Sequence, residues 1–140
     1  MFWGCSIENF NINMKSLVNG DNMFSECSNL KKFESDLSSL KIGDNMFYRC
    51  ENLELFSADL SSLTNGYFMF GANLIKNFTN NLKSLVNGGS MFEPASRDSV
   101  SSLVTFNADL NSLVYGEYMF CGCKNLTSVI TSLSSLVNGE

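Results

Sequence analysis

The side chains in this chain that could do chemistry are five cysteines, a set of acidic residues and many serines. Histidine is absent from the 140 residues. Its absence excludes a Ser-His-Asp triad, a Cys-His dyad and any zinc site that uses imidazole. The serine and cysteine nucleophiles that remain have no histidine to act as their base. We therefore predict no catalytic residues, no cofactor and no enzymatic activity.

The cysteines leave two interpretations open. Four of them recur at one position of a repeat described below: Cys5, Cys27, Cys50 and Cys123. This column could be a ladder of disulfides or metal ligands, or it could be small buried packing residues, which free cysteine resembles. Cys121 and Cys123 form a close pair, but two ligands without a second pair or a histidine make no complete zinc site. We favour buried packing and predict no metal.

A column of acidic and amide side chains also recurs with the repeat, at Asp36, Asp59, Asn81 and Asp109. Such a column could hold calcium, which prefers oxygen ligands. Each repeat, however, supplies only one carboxylate to it. An Asp or Asn side chain can also accept a hydrogen bond from its own backbone two residues on and so turn the chain. We favour this turn role.

The elements that must position these side chains follow from an internal repeat. The dipeptide Met-Phe occurs six times, with a closing glycine in each unit. The units span 1–22, 23–45, 46–68, 69–90, 91–118 and 119–140, with Met-Phe first in each. A unit this short cannot bury its own apolar face, so we expect six stacked coils in one domain. Neither end of the chain differs from its neighbours, which predicts a segment of a longer array or end-to-end self-association.

Each coil has a predicted internal order. The segment from Leu30 to Ser35 is the expected strand, with its Leu and Phe pointing inward. The closing glycine is expected at a position with positive φ. Asp44 and Asn45 are expected to cap a short helical turn that holds Met46 and Phe47.

The run IGDNMFYRCENLELF, from Ile42 to Phe56, resembles the consensus of BspA-type leucine-rich repeats, I-G-x-x-A-F-x-x-C-x-x-L-x-x-I. The matching columns hold Gly43, Phe47, Cys50, Leu53 and Phe56. The resemblance covers all six units, although the cysteine is replaced in the fourth and fifth. Met stands where the family prefers Ala, and Asp-Leu-Ser-Ser-Leu replaces a stretch that usually opens with Pro. These departures indicate a Met-Phe variant subfamily.

The resemblance implies a curved, right-handed leucine-rich-repeat solenoid, of the α/β repeat class, with short parallel strands on its concave side and helical or 3₁₀ turns elsewhere. It also implies a cell-surface or secreted protein that binds a protein or glycan ligand and acts in adhesion. The family has no universal binding residues that could be carried over. The alternative is a structural spacer with no ligand of its own.

Three surfaces are candidates for ligand binding. One is an aromatic patch after the closing glycines, formed by Tyr67, Phe68 and Tyr118 with Tyr115 nearby, in a column that Gly89 and Ser90 interrupt. The concave face would carry Lys31, Lys32, Glu54 and Lys76, which precede or flank the inward phenylalanines. The fifth unit has surplus residues in the run EPASRDSVSS, and insertions in repeat arrays form loops on one face. Pro94 and Arg97 lie in this loop.

Charge and hydropathy exclude two other classes of partner. Nine Lys and Arg against 14 Asp and Glu give a net charge of −5, which does not attract a phosphate backbone. We therefore predict no nucleic acid partner. No apolar run approaches the roughly 18–20 residues of a membrane span, so we also predict no span.

Overall fold

The computed structural model describes residues 1–96 and 99–140, and each repeat unit contributes one short strand. The strands are β1 (Asn9–Phe10), β2 (Lys32–Glu34), β3 (Leu55–Ser57), β4 (Asn77–Phe78), β5 (Thr105–Asn107) and β6 (Ser128–Ile130). The strand expected from Leu30 to Ser35 is present but shorter. Within the described ranges there is no helix, and hence none that could cross a membrane.

The strands pair in parallel and form two sheets of three, in the orders β1-β2-β3 and β4-β5-β6. Phe10, Phe33 and Phe56 are in register in the first sheet. The ladder stops between β3 and β4, where the spacing of the strand phenylalanines falls from 23 residues (Phe33 to Phe56) to 22 (Phe56 to Phe78). There, the Leu74 N–H donates to the Leu53 carbonyl at 3.0 Å in place of a strand ladder. We call this break the seam.

A second ladder crosses the seam and runs through all six units. It consists of parallel bridges just before the closing glycines, at residues 19, 42, 65, 87, 115 and 138. The sheets are therefore two, but the stack of units is continuous along this ladder.

Two columns of phenylalanine rings run through the core, beside buried leucines and methionines. One column is continuous, with neighbouring rings stacked at centroid distances of 5.1–5.9 Å: Phe2, Phe24, Phe47, Phe70, Phe92 and Phe120. The other follows the strands, through Phe10, Phe33 and Phe56 and then through Phe78 and Phe106. Rings of the two columns meet edge to face, an arrangement that stabilises aromatic pairs beyond their burial.

The predicted helical turn around Met46 and Phe47 is wrong. This segment is a pair of hydrogen-bonded turns, in which the Met46 N–H donates to the Gly43 carbonyl at 3.0 Å and the Tyr48 N–H to the Asn45 carbonyl at 3.1 Å. Asn45 has φ 54° and Arg49 has φ 55°, and left-handed residues four apart interrupt any helix. The Phe47 N–H instead reaches the next coil, donating to the Met69 carbonyl at 3.0 Å.

The prediction of positive φ at the closing glycines is also wrong. Among the described glycines, positive φ occurs at Gly4 and Gly122, neither of which closes a unit. The closing glycines are required by packing. A Cβ on Gly43 would lie 3.1 Å from the Met69 sulfur of the next coil, and a Cβ on Gly20 would lie 2.7 Å from the Met46 sulfur. The repeated methionine occupies the space that the glycine leaves.

Candidate functional site

The strand face consists of the exposed side chains that flank the inward phenylalanine of each strand. It carries Lys31 and Lys32. Lys31 Nζ lies 3.1 Å from Glu8 Oε2, and Lys32 Nζ lies 2.9 Å from Glu34 Oε2. These pairs are open to solvent, so each contributes little to stability and is free to exchange partners.

The seam forms a recess in the strand face. It has a volume of about 310 Å³ and is lined by Glu54, Leu55, Phe56, Leu74, Lys76 and Asn77. Two of the predicted binding residues, Glu54 and Lys76, therefore lie at one place. Leu55 is 60% exposed there. The recess thus combines an apolar surface with one acidic and one basic side chain, and we call it the seam recess.

The apolar lining of the seam recess is the part that sequence reasoning missed as a binding surface. Leu55, Phe56 and Leu74 belong to columns that are polar or buried elsewhere. The signal was present in the spacing, since Phe56 and Phe78 are 22 positions apart whereas Phe33 and Phe56 are 23 apart.

The fifth-unit loop is placed only in part. Pro94 is buried, and a Cβ on Gly122 would lie 2.7 Å from its Cγ. Pro94 therefore packs against the sixth unit and does not offer a surface to a ligand. Arg97, the other residue predicted to bind a ligand from this loop, lies outside the described residues. Pro94 is not among the residues that line the seam recess.

The acidic column does form turns, which confirms that prediction. The Oδ1 atoms of Asp36, Asp59, Asn81 and Asp109 each accept the backbone N–H two residues on, at 2.8–3.0 Å. Hydrogen bonds from the Ser38 side chain and backbone lower the pKa of Asp36. Among residues 1–96 and 99–140, no group of three or more Cys, Asp and Glu side chains is arranged to hold a metal ion.

All five cysteines are free thiols, and the repeated ones serve packing. Cys27 and Cys50 are fully buried, and each donates its thiol to a carbonyl of the preceding coil: to Phe2 at 2.9 Å and to Phe24 at 3.1 Å. Burial raises the pKa of both thiols. Cys121 differs because it is exposed.

One parallel strand per unit, a continuous bridge ladder and ring columns that follow the unit period define a repeat protein of stacked coils. A family model described as "BspA type Leucine rich repeat region (6 copies)" matches residues 1–75, which is more than half of the chain. The chain belongs to the BspA-type leucine-rich-repeat family. Members of this family are generally non-enzymatic and typically extracellular or surface-associated. No curated protein and no solved structure matches the chain.

Proposed function

We propose that this chain is a non-enzymatic binding module of a surface-displayed or secreted repeat protein, folded as a right-handed solenoid of the Met-Phe variant subfamily, which recognises a protein or glycan ligand in adhesion. The observation that carries the proposal is the seam recess. It exposes Leu55 between Glu54 and Lys76, so a ligand can bury an apolar contact and form charged hydrogen bonds at one place. Lys31 and Lys32 extend this surface along the first sheet.

The test is binding of the purified chain to an immobilised extracellular-matrix preparation, measured by surface plasmon resonance. Leu55→Ser removes the apolar contact, and burial of a leucine contributes about 1.5–3 kcal/mol. We expect affinity to fall roughly 10- to 100-fold. Glu54→Ala and Lys76→Ala should weaken binding further. Lys83→Ala, which removes an exposed lysine from the acidic-column turn, is the matched control and should bind as the parent does. Unchanged binding by Leu55→Ser and Lys76→Ala would contradict this assignment.

A second candidate function, a spacer that presents other domains, is favoured by one observation. The lysines of the first sheet are already paired with Glu8 and Glu34 of the same face. A spacer has no ligand, so the parent chain would give no binding signal in the same experiment.

A further inference from the structure

The turn edge of the stack, formed by the residues that follow each closing glycine, carries aromatic side chains that the fold does not require. Phe68 has φ 52° and Tyr118 has φ 57°, in a column whose other members include Asn22 and Asn45. A left-handed backbone is unfavourable for a bulky side chain, whereas Asn tolerates it because its short side chain bonds locally. Asparagine would therefore suit the fold better at both positions.

Tyr118 and two further tyrosines surround a recess on this edge. The recess has a volume of about 460 Å³ and is lined by Tyr67, Asn87, Gly89, Ser90, Tyr115, Glu117 and Tyr118. We call it the aromatic notch. Tyr67, Tyr115 and Tyr118 are 43%, 48% and 53% exposed, which is high for tyrosines of one cluster. No residue lines both the aromatic notch and the seam recess.

The notch exists because the fourth unit ends in Gly88 and Gly89. The coils that carry Tyr67 and Tyr115 lie on either side of this unit, two coil spacings or about 10 Å apart. A Cβ on Gly89 would lie 3.1 Å from Tyr67 Cδ2, so the tyrosine ring rests on the bare glycine backbone. The base of the aromatic notch is therefore glycine backbone, and its sides are tyrosine rings.

The polar groups of the notch are uncharged or acidic. The Glu117 Oε1 atom accepts a hydrogen bond from Asn138 Nδ2 at 2.6 Å, which holds the carboxylate in place and leaves Oε2 for another donor. Asn87 Oδ1 accepts the Gly89 N–H at 3.0 Å, so the amide NH₂ remains as a donor. No lysine or arginine is among the lining residues.

We propose that the aromatic notch binds a neutral carbohydrate. The C–H faces of a sugar ring pack against tyrosine rings through dispersion, and its hydroxyls can pair with phenol, amide and carboxylate groups. The volume lies in the range of small-ligand sites, which favours a saccharide over the flat surface of a protein partner. The carboxylate of Glu117 with no cation beside it opposes anionic sugars. This site goes beyond the proposed function, since it uses a different surface and a different set of residues.

The test is a printed array of neutral, sialylated and sulfated oligosaccharides, followed by titration calorimetry with each saccharide bound. Tyr118→Asn introduces the residue that positions 22 and 45 already carry, so its melting temperature should equal or exceed that of the parent chain. We expect Tyr118→Asn and Tyr67→Ala each to lose at least tenfold in affinity. Trp3→Ala, which removes an exposed aromatic outside the notch, is the matched control and should bind as the parent does.

Binding of neutral saccharides that is lost in both notch variants supports the proposal. The proposal is overturned if the parent chain binds no saccharide, binds only the anionic ones, or keeps its affinity in Tyr118→Asn. Leu55→Ser separates the two sites: it should leave saccharide binding intact even if the strand face has a ligand of its own. If the chain does not bind the matrix preparation, the saccharide-binding result can therefore still be interpreted.

Discussion

Replacing Gly43 by alanine tests the packing of methionine against the closing glycine. A Cβ at this position would lie 3.1 Å from Met69 Sδ, 3.2 Å from Met69 Cε and 3.3 Å from Leu63 Cδ1. Both neighbouring side chains are fully buried, so neither can move into solvent. Overpacking of this kind costs about 1–3 kcal/mol.

A second effect acts in the opposite direction. Gly43 does not have positive φ, so alanine would lower the conformational entropy of the unfolded chain and stabilise the protein by about 0.4–1 kcal/mol. The clash is the larger effect, and we expect a net loss of about 1–2 kcal/mol. Urea denaturation followed by circular dichroism measures the change. If Gly43→Ala is neutral or stabilising, the glycine is not a packing requirement and the argument fails.

Two further variants make this test specific. Gly116→Ala is the control, because Gly116 closes a unit but has no methionine among its nearest atoms, and it should cost less. Combining Gly43→Ala with Met69→Ala removes the clash. The double variant should therefore be more stable than the sum of the two single effects by about 1–2 kcal/mol.

Three other predictions follow from the described contacts. With a thiol-reactive reagent, Cys121 should be modified in the folded protein and Cys50 only after unfolding, since Cys50 is fully buried and burial raises its pKa. Burial also raises the pKa of Asp44, so the folded state binds the carboxyl proton more tightly than the unfolded state does. The protonated carboxyl therefore adds to the stability of the fold at low pH, and this stability is lost as the pH rises from about 4 through the raised pKa. Asp44→Asn should thus raise the melting temperature at pH 7 and leave it unchanged at pH 3. If the substitution has the same effect at both pH values, the burial argument is wrong. Deleting residues 46–68 should give a shorter chain that still unfolds cooperatively, as followed by circular dichroism, whereas collapse to an unfolded chain would contradict a modular stack.

The unit period predicts the buried side chains of the middle units, whereas Val129, Leu133 and Leu136 occupy the same columns in the sixth unit and are exposed. Each template column becomes a ladder, so the repetition of Leu30, Phe33 and Phe47 at equivalent positions specifies the core without any knowledge of the turns. The asparagine and aspartate column was predictable for a similar reason, since its hydrogen bond is made within three consecutive residues. Local and periodic features are the ones a single sequence encodes directly.

The turn conformation was not predictable in the same way. Asn45 and Arg49 adopt left-handed φ, and the N–H groups of Asn45, Phe47 and Arg49 each donate to a carbonyl of the next coil that is 22 residues away in sequence. The role of the closing glycine was hidden for the same reason, because the side chain that excludes a Cβ belongs to another unit. Both candidate recesses depend on such contacts between units, so the sequence indicated charged positions but not the cavity they share.

Both recesses arise where a single unit departs from the repeat pattern. The seam recess appears where the strand ladder is interrupted between β3 and β4, and the aromatic notch appears where Gly89 carries no side chain. In each case the phenylalanine column of residues 2 to 120 passes beneath undisturbed. The phenylalanine columns thus hold the units together, and departures from the repeat in single units shape the surface. A repeat protein of this design can vary its surface from unit to unit without rebuilding its core.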